Sequence, residues 1–230
     1  MPRTALRLAA VAAALSALTT FLLWLLPRLT VAPATFDETI ALHANPLYLG
    51  RLWVNFIHIF FALSAYAGAT WLLWRRSPAL AGAGFISMFM WALTELLGVS
   101  VNLFAVNATW RAQFAISAPA VQDQLRILLL GFQGVWDGMF FLLLVCFLLG
   151  SLCYGLALVR QQKVERTLGW LFLLAVPLTV AIMLGGYTSI SNFDGIVGMV
   201  YPVLQPVSRL LLAVWLWRQA TSDGESQKPA

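Results

Sequence analysis

The sequence predicts an all-α, polytopic membrane protein, a six-transmembrane-helix bundle with N- and C-termini cytoplasmic. Three observations lead there. Of the 230 residues, 61% are hydrophobic and only 10% charged, against about 25% charged in a soluble domain. Mean hydropathy is +0.84. Six apolar runs each reach the length of about 20 residues needed to cross a hydrocarbon core about 30 Å thick. The runs are continuous rather than alternating every second residue, so backbone polar groups are satisfied within helices rather than in a closed barrel. Residues 1–220 form one domain, and 221–230 read as a disordered polar tail.

The first span covers 8–26, behind Arg3 and Arg7. A basic start and the Ala32-Pro33-Ala34 triplet also suit a cleaved signal sequence. The long apolar run and its end at Trp24 and Pro27 favour a retained span. Loop one, 27–50, carries Asp37, Glu38, His43 and three prolines, and is long enough to fold over one face. Span two, 51–74, stops at Arg75-Arg76, and Ser77-Pro78 turns the chain into span three, 80–106. A polar loop is expected over 107–124. The fourth run, 125–159, would reach about 50 Å as a helix, so its first turns must tilt, protrude or lie at the interface, with Gly131 and Gly134 as places for a bend. Span five is 168–187 and span six 196–217.

Lys and Arg set the orientation. Nine of them fall in the segments on the N-terminal side of the membrane (Arg3, Arg7, Arg75, Arg76, Arg160, Lys163, Arg166, Arg218, Lys228) and four in the opposite loops (Arg28, Arg51, Arg111, Arg126). The net charge of +5 therefore reflects topology, and no basic patch interleaved with aromatics suggests nucleic acid. The expected partners are membrane lipids and a small-molecule or lipid ligand; oligomeric state is open. Cys146 and Cys153 lie about 10 Å apart in rise on one helix, too far for a disulfide, and read as free thiols in the core.

A charged side chain at mid-bilayer costs about 2.5–3.5 kcal/mol on insertion scales and usually faces the bundle interior. Glu95 lies near the middle of span three, on a stripe with Trp91, Gly98 and Asn102 at helical spacing. Such a stripe points at protein or water; Glu95 either holds helices together through hydrogen bonds or serves a ligand or proton. Arg209 lies near the middle of span six, one face with Tyr201 and Gln205, in a helix interrupted by Pro202 and Pro206. It either pairs with Glu95 or snorkels to the inner surface. Asp137, one turn after Gln133, falls about 34 Å from the inner surface, where it is a site residue or simply solvated. His58 shares a face with Asn55, continued by Ala62, Ala65 and Ala69, small residues that let helices approach. It reads as a core residue or a ligand contact.

These depths agree. His58, Asn55, Asn102, Gln133, Asp137, Asn192 and Asp194 fall in the outer half, with Glu95 and Arg209 beneath them. The expected site is an outward-facing polar pocket: Glu95 and Arg209 as floor, His58, Asn102 and Asp137 as wall, and Gln205 and Trp91 beside them.

Two histidines are too few for a zinc hydrolase and badly spaced for bis-histidine haem. No lysine lies within a span for a retinal Schiff base, and no phosphate-binding loop occurs. No cofactor or metal is expected. Gly134 and Gly138 match GxxxG, a sign of close helix packing. Binding or transport of a small or amphipathic molecule suits the pocket best. The alternatives are a membrane-embedded acid–base enzyme of isomerase or cyclase type, acting on a lipid or isoprenoid with Glu95, Asp137 or His58 as proton groups, and a non-catalytic membrane subunit or sensor.

The stretch LGSLCYGLALVR at 149–160, a short basic loop and then LGWL at 168–171 resemble the later part of a bacterial six-helix membrane family of unassigned activity. A carboxylate inside the third span, here Glu95, is similar to that family as well. The resemblance implies a protein of the bacterial inner membrane and transfers no functional residue.

Overall fold

The computed structural model describes residues 1–161, 164–188 and 194–222, apart from the side chains of Asp194, Ile196 and Ser222. Asn192, Lys163, Lys228 and the Asp194 side chain, all named above, lie outside this description, as does the tail from 223. The described residues are mostly helical, with no strand among them. Six helices are long and apolar enough to cross a membrane, and the chain is a multi-pass membrane protein.

Helix α1 is Arg3–Leu25, α2 Phe36–Ala41, α3 Pro46–Trp74 and α4 Pro78–Ser100. A π-helix, Val101–Arg111, leads into α5, Ala112–Ile116. Then come α6, Pro119–Val159, α7, Val164–Tyr187, and α8, Asp194–Ser222. The spanning helices touch in the closed order α1, α3, α4, α6, α7, α8 and back to α1. Each span reverses the direction of the one before it, so neighbours in the ring are antiparallel.

Helix starts follow local chemistry. The Asn45 side chain accepts from the backbone N–H groups of Leu47 and Tyr48 at 3.0 and 3.1 Å, and Pro46 takes the first helical position. Helix α3 therefore begins five residues before the expected 51, which makes Tyr48 helical. Within loop one, the Thr35-x-x-Glu38 pattern makes a capping box variant. Thr35 Oγ1 accepts from Glu38 N at 3.2 Å, and Glu38 Oε2 accepts from Ala34 N at 2.7 Å. This nucleates α2, which lies over the bundle end as expected of that loop.

The polar loop expected over 107–124 is instead mostly helix. Span three runs unbroken as Pro78–Ile116, and only Ser117 and Ala118 separate it from α6. At 41 residues, α6 would extend about 61 Å, twice the hydrocarbon thickness. It passes through Gly131 and Gly134 without interruption. Its protruding N-terminal turns make a second small core, where Leu125 packs with Ile40 and Phe114 beside Phe36, Trp110 and Leu129. The Arg126 guanidinium lies 4.4 Å from the Phe36 ring.

Close helix contact occurs at Gly68, where an added Cβ would sit 2.7 Å from Ala9 Cβ, and at Gly169, 2.5 Å from the Val159 nitrogen. It does not occur at Gly134 or Gly138, whose surroundings are open. The GxxxG expectation fails because that face of α6 turns away from the ring. Both cysteines are free, as expected.

Basic residues gather at one end: Arg7 lies over Trp217 at 6.0 Å, and Arg76 pairs with Glu165 at 3.0 Å. The same Glu165 Oε1 accepts from Trp215 Nε1 at 3.0 Å, joining α8 to the α3–α4 turn. Glu165→Ala should cost about 1–2 kcal/mol in thermal unfolding, and Arg76→Ala less than about 1 kcal/mol. Removing the carboxylate orphans the indole N–H, whereas the arginine is 49% exposed and its pairing is screened.

Candidate functional site

Three cavities stand in line along the interior, each sharing walls with the next. The outermost, about 340 Å³, lies under α2 and is lined by Phe36, Thr39, Tyr48, Asn102, Arg111 and Trp136 among others. The middle one, also about 340 Å³, shares Tyr48, Asn102 and Trp136 with it and adds Arg51, Asn55 and Glu95. The innermost, about 200 Å³, shares Glu95 with the middle one. Its remaining polar lining is Thr20, Tyr201, Gln205 and Arg209, with Trp91 beside them, while Phe140, Leu143, Leu144, Phe147 and Ile182 form an apolar wall.

The neck between the outer two cavities is built by the π-helix. An i→i+5 turn brings residues five apart onto one line. Asn107 Nδ2 donates to both the backbone oxygen and Oδ1 of Asn102, at 2.7 Å each. Arg111 Nη1 donates to Asn107 Oδ1 at 2.8 Å and to the Tyr48 hydroxyl at 3.2 Å. That hydroxyl donates in turn to Asn102 Oδ1 at 3.4 Å. Arg111 is buried, and its Nε has no partner among the described residues. π-Helical turns are uncommon and cluster at functional sites.

Between the neck and Glu95 stands Trp136, in the gap left by Gly98: a Cβ on Gly98 would overlap the indole. The glycine in the Trp91, Glu95, Gly98, Asn102 stripe thus makes room for a ring from α6.

The direct Glu95–Arg209 pair does not form. The one ion pair among the described residues is Arg76–Glu165. Glu95 and Arg209 face the same innermost cavity instead. Nor does Arg209 snorkel. It is 6% exposed, and Nη1 donates to Ser16 Oγ on α1 at 2.5 Å. Its guanidinium carbon lies 5.9 Å from the Tyr66 ring and 6.0 Å from Trp91. Its Nε has no partner among the described residues. A serine reached the guanidinium first because α1 and α8 are neighbours in the ring, whereas α4 faces α8 across it.

The structure therefore brings together Glu95, Arg209, Gln205 and Trp91 around one cavity, with Asn102 on the next. His58 is buried just behind, its Nδ1 2.7 Å from Thr19 Oγ1 and its ring edge-on to Trp91 at 6.3 Å. It supports the wall but lines none of the three cavities. Asp137 is not a wall residue. It is exposed on α6, accepts from Gln133 Nε2 at 3.1 Å, and lines none of the three cavities. On α6, Trp136 faces inward and its neighbour therefore faces outward.

Site residues that the sequence did not single out include Ser16, Tyr48, Arg51, Asn107, Arg111 and Trp136. For Ser16 a signal existed, since Ser16, Thr19 and Thr20 make a polar face within an Ala/Leu run at helical spacing. Toward the basic end the interior is closed. Tyr66 and Tyr154 stack at 5.5 Å, both against Phe172, and the Tyr154 hydroxyl lies 2.6 Å from Thr70 Oγ1.

No three His, Cys, Asp or Glu side chains converge among the described residues. No protein-family model, curated protein or solved structure matches this chain.

Proposed function

We propose that this chain binds, and in a transport cycle carries, a small or amphipathic molecule in its line of three cavities, as a protein of the bacterial inner membrane. The single observation that supports this is the shared walls. Polar side chains continue from the α2 end down to Arg209, and aromatic rings shut the other end. Four basic residues against nine support an outer position for the α2 end by the positive-inside rule, and with it an outward opening. Few convergent polar groups in a largely preformed concavity are the usual form of a ligand site.

Acid–base catalysis is less well served. It needs two proton-transferring groups at one substrate, and beside Glu95, the one carboxylate among the described residues lining these three cavities, stand only the weakly acidic Tyr48 and Tyr201.

The test is native mass spectrometry of protein released from gentle detergent. Wild type should retain a small molecule, and Asp137→Asn should retain it equally. Glu95→Gln should lower occupancy by about tenfold or more, because a bond to a charged group is worth about 1.5–3 kcal/mol. Equal retention by Glu95→Gln, or loss in Asp137→Asn, contradicts the reading.

A further inference from the structure

The innermost cavity contains one acid and one guanidinium that do not pair with each other. Resting on the binding reading above, we propose that its ligand is a small zwitterion, an ammonium carboxylate of amino-acid type. Its carboxylate meets Arg209 and its ammonium meets Glu95.

The argument begins with Arg209. Its Nη1 donates to Ser16, while among the described residues Nε has no acceptor and no hydrogen bond from Nη2 is found. The Nε–Nη2 edge of a guanidinium is a planar fork of two parallel donors, matched to the two oxygens of a carboxylate. An arginine buried to this degree, with one neutral hydrogen-bond partner, is an incomplete arrangement. An anion completes it.

Glu95 decides what kind of anion. It faces the same cavity of about 200 Å³, so a simple anion seated on Arg209 would stand against a second acid. A simple cation seated on Glu95 would stand against the guanidinium. A molecule carrying both charges satisfies both walls and leaves the cavity neutral. Gln205 and Tyr201 add neutral hydrogen-bonding groups between them. Phe140, Leu143, Phe147 and Ile182 offer an apolar wall to whatever hydrocarbon the zwitterion carries. The size of the cavity suits a free small molecule better than a diacyl lipid.

The outer cavities fit such a ligand as well. Arg111 and Arg51 line them in succession, with Glu95 at the inner boundary. Entry would proceed carboxylate first, from one guanidinium to the next.

The experiment uses purified full-length protein in lipid nanodiscs, with binding read by calorimetry and by thermal shift. The probes are L-phenylalanine, 3-phenylpropanoate and 2-phenylethylamine, which share a skeleton and carry both charges or one. Glycine, 4-aminobutanoate and 6-aminohexanoate vary the charge separation. At least one zwitterion should bind tenfold or more tightly than either single-charge analogue, and Arg209→Met and Glu95→Gln should each abolish that preference. A single-charge analogue binding as tightly as the best zwitterion overturns the inference while leaving the cavity a binding site. No binding by any probe also overturns it. If native mass spectrometry still finds a Glu95-dependent bound molecule in that case, the binding reading stands alone; if it finds none, both fall.

Discussion

Replacing Arg209 with methionine should abolish ligand binding without lowering thermal stability, and should raise the unfolding midpoint if it moves at all. The guanidinium is 6% exposed and among the described residues has one hydrogen bond, to a neutral serine. Taking an ion out of water costs several kcal/mol even after relaxation, and apolar replacements of buried charged groups are often neutral or stabilising by about 1–4 kcal/mol. Methionine keeps much of the stem volume and its contact with Tyr66 and Trp91. Against this stands Ser16, whose hydroxyl loses its donor at a cost of about 1–3 kcal/mol. A helical serine can instead bond back to the carbonyl four residues before it, so most of that cost is recovered. Binding behaves differently. Truncating one partner of a buried charged hydrogen bond costs about 2–5 kcal/mol, at least thirtyfold in affinity. The measurement is thermal unfolding of the purified variant beside calorimetric titration with the preferred zwitterion. A large drop in the midpoint with affinity preserved would make Arg209 a structural strut.

Gly98→Ala is the second change with a large expected effect. The new methyl group falls on the Trp136 ring, and that ring stacks on Phe140 at 6.3 Å. Overpacking a filled site costs about 1–3 kcal/mol. The indole must move, and since it walls both the outer and the middle cavity, the passage between them changes with it. Stability should fall by that amount and ligand on-rate should fall with it. In a Trp136→Ala background the same change should cost little, because the two side chains then no longer compete for one volume. A double-mutant cycle by thermal unfolding measures this directly. Strict additivity would mean that the ring does not occupy the glycine gap.

How much of this could be read from residues alone differs from place to place. The spans were legible because hydropathy over about 20 residues is a local quantity. Helix α2 was not foreseen within loop one, although its Thr35-x-x-Glu38 pattern is a local signal of a helix start. Nor was the helix through Asn107, because polar residues in a row look like a loop until the π-turn pairs Asn107 with Asn102. Asp137 shows the limit of depth counting. Rise along a helix places a residue between the membrane surfaces but not around the helix axis, and that rotation is what separates Asp137 outside from Trp136 inside.

Sequence by itself determined that this chain spans the membrane six times, which face of α4 is polar, and that Glu95 and Arg209 lie at similar depth. Those follow from composition and from a repeat of 3.6 residues, both set by neighbours in the chain. Only the tertiary structure decided that Arg209 reaches Ser16 rather than Glu95, that Trp136 fills the space at Gly98, and that Arg111 joins the neck with Tyr48. Each of these is a meeting between helices distant in sequence. Which faces meet depends on the order and rotation of all six around the ring, so no local pattern contains it.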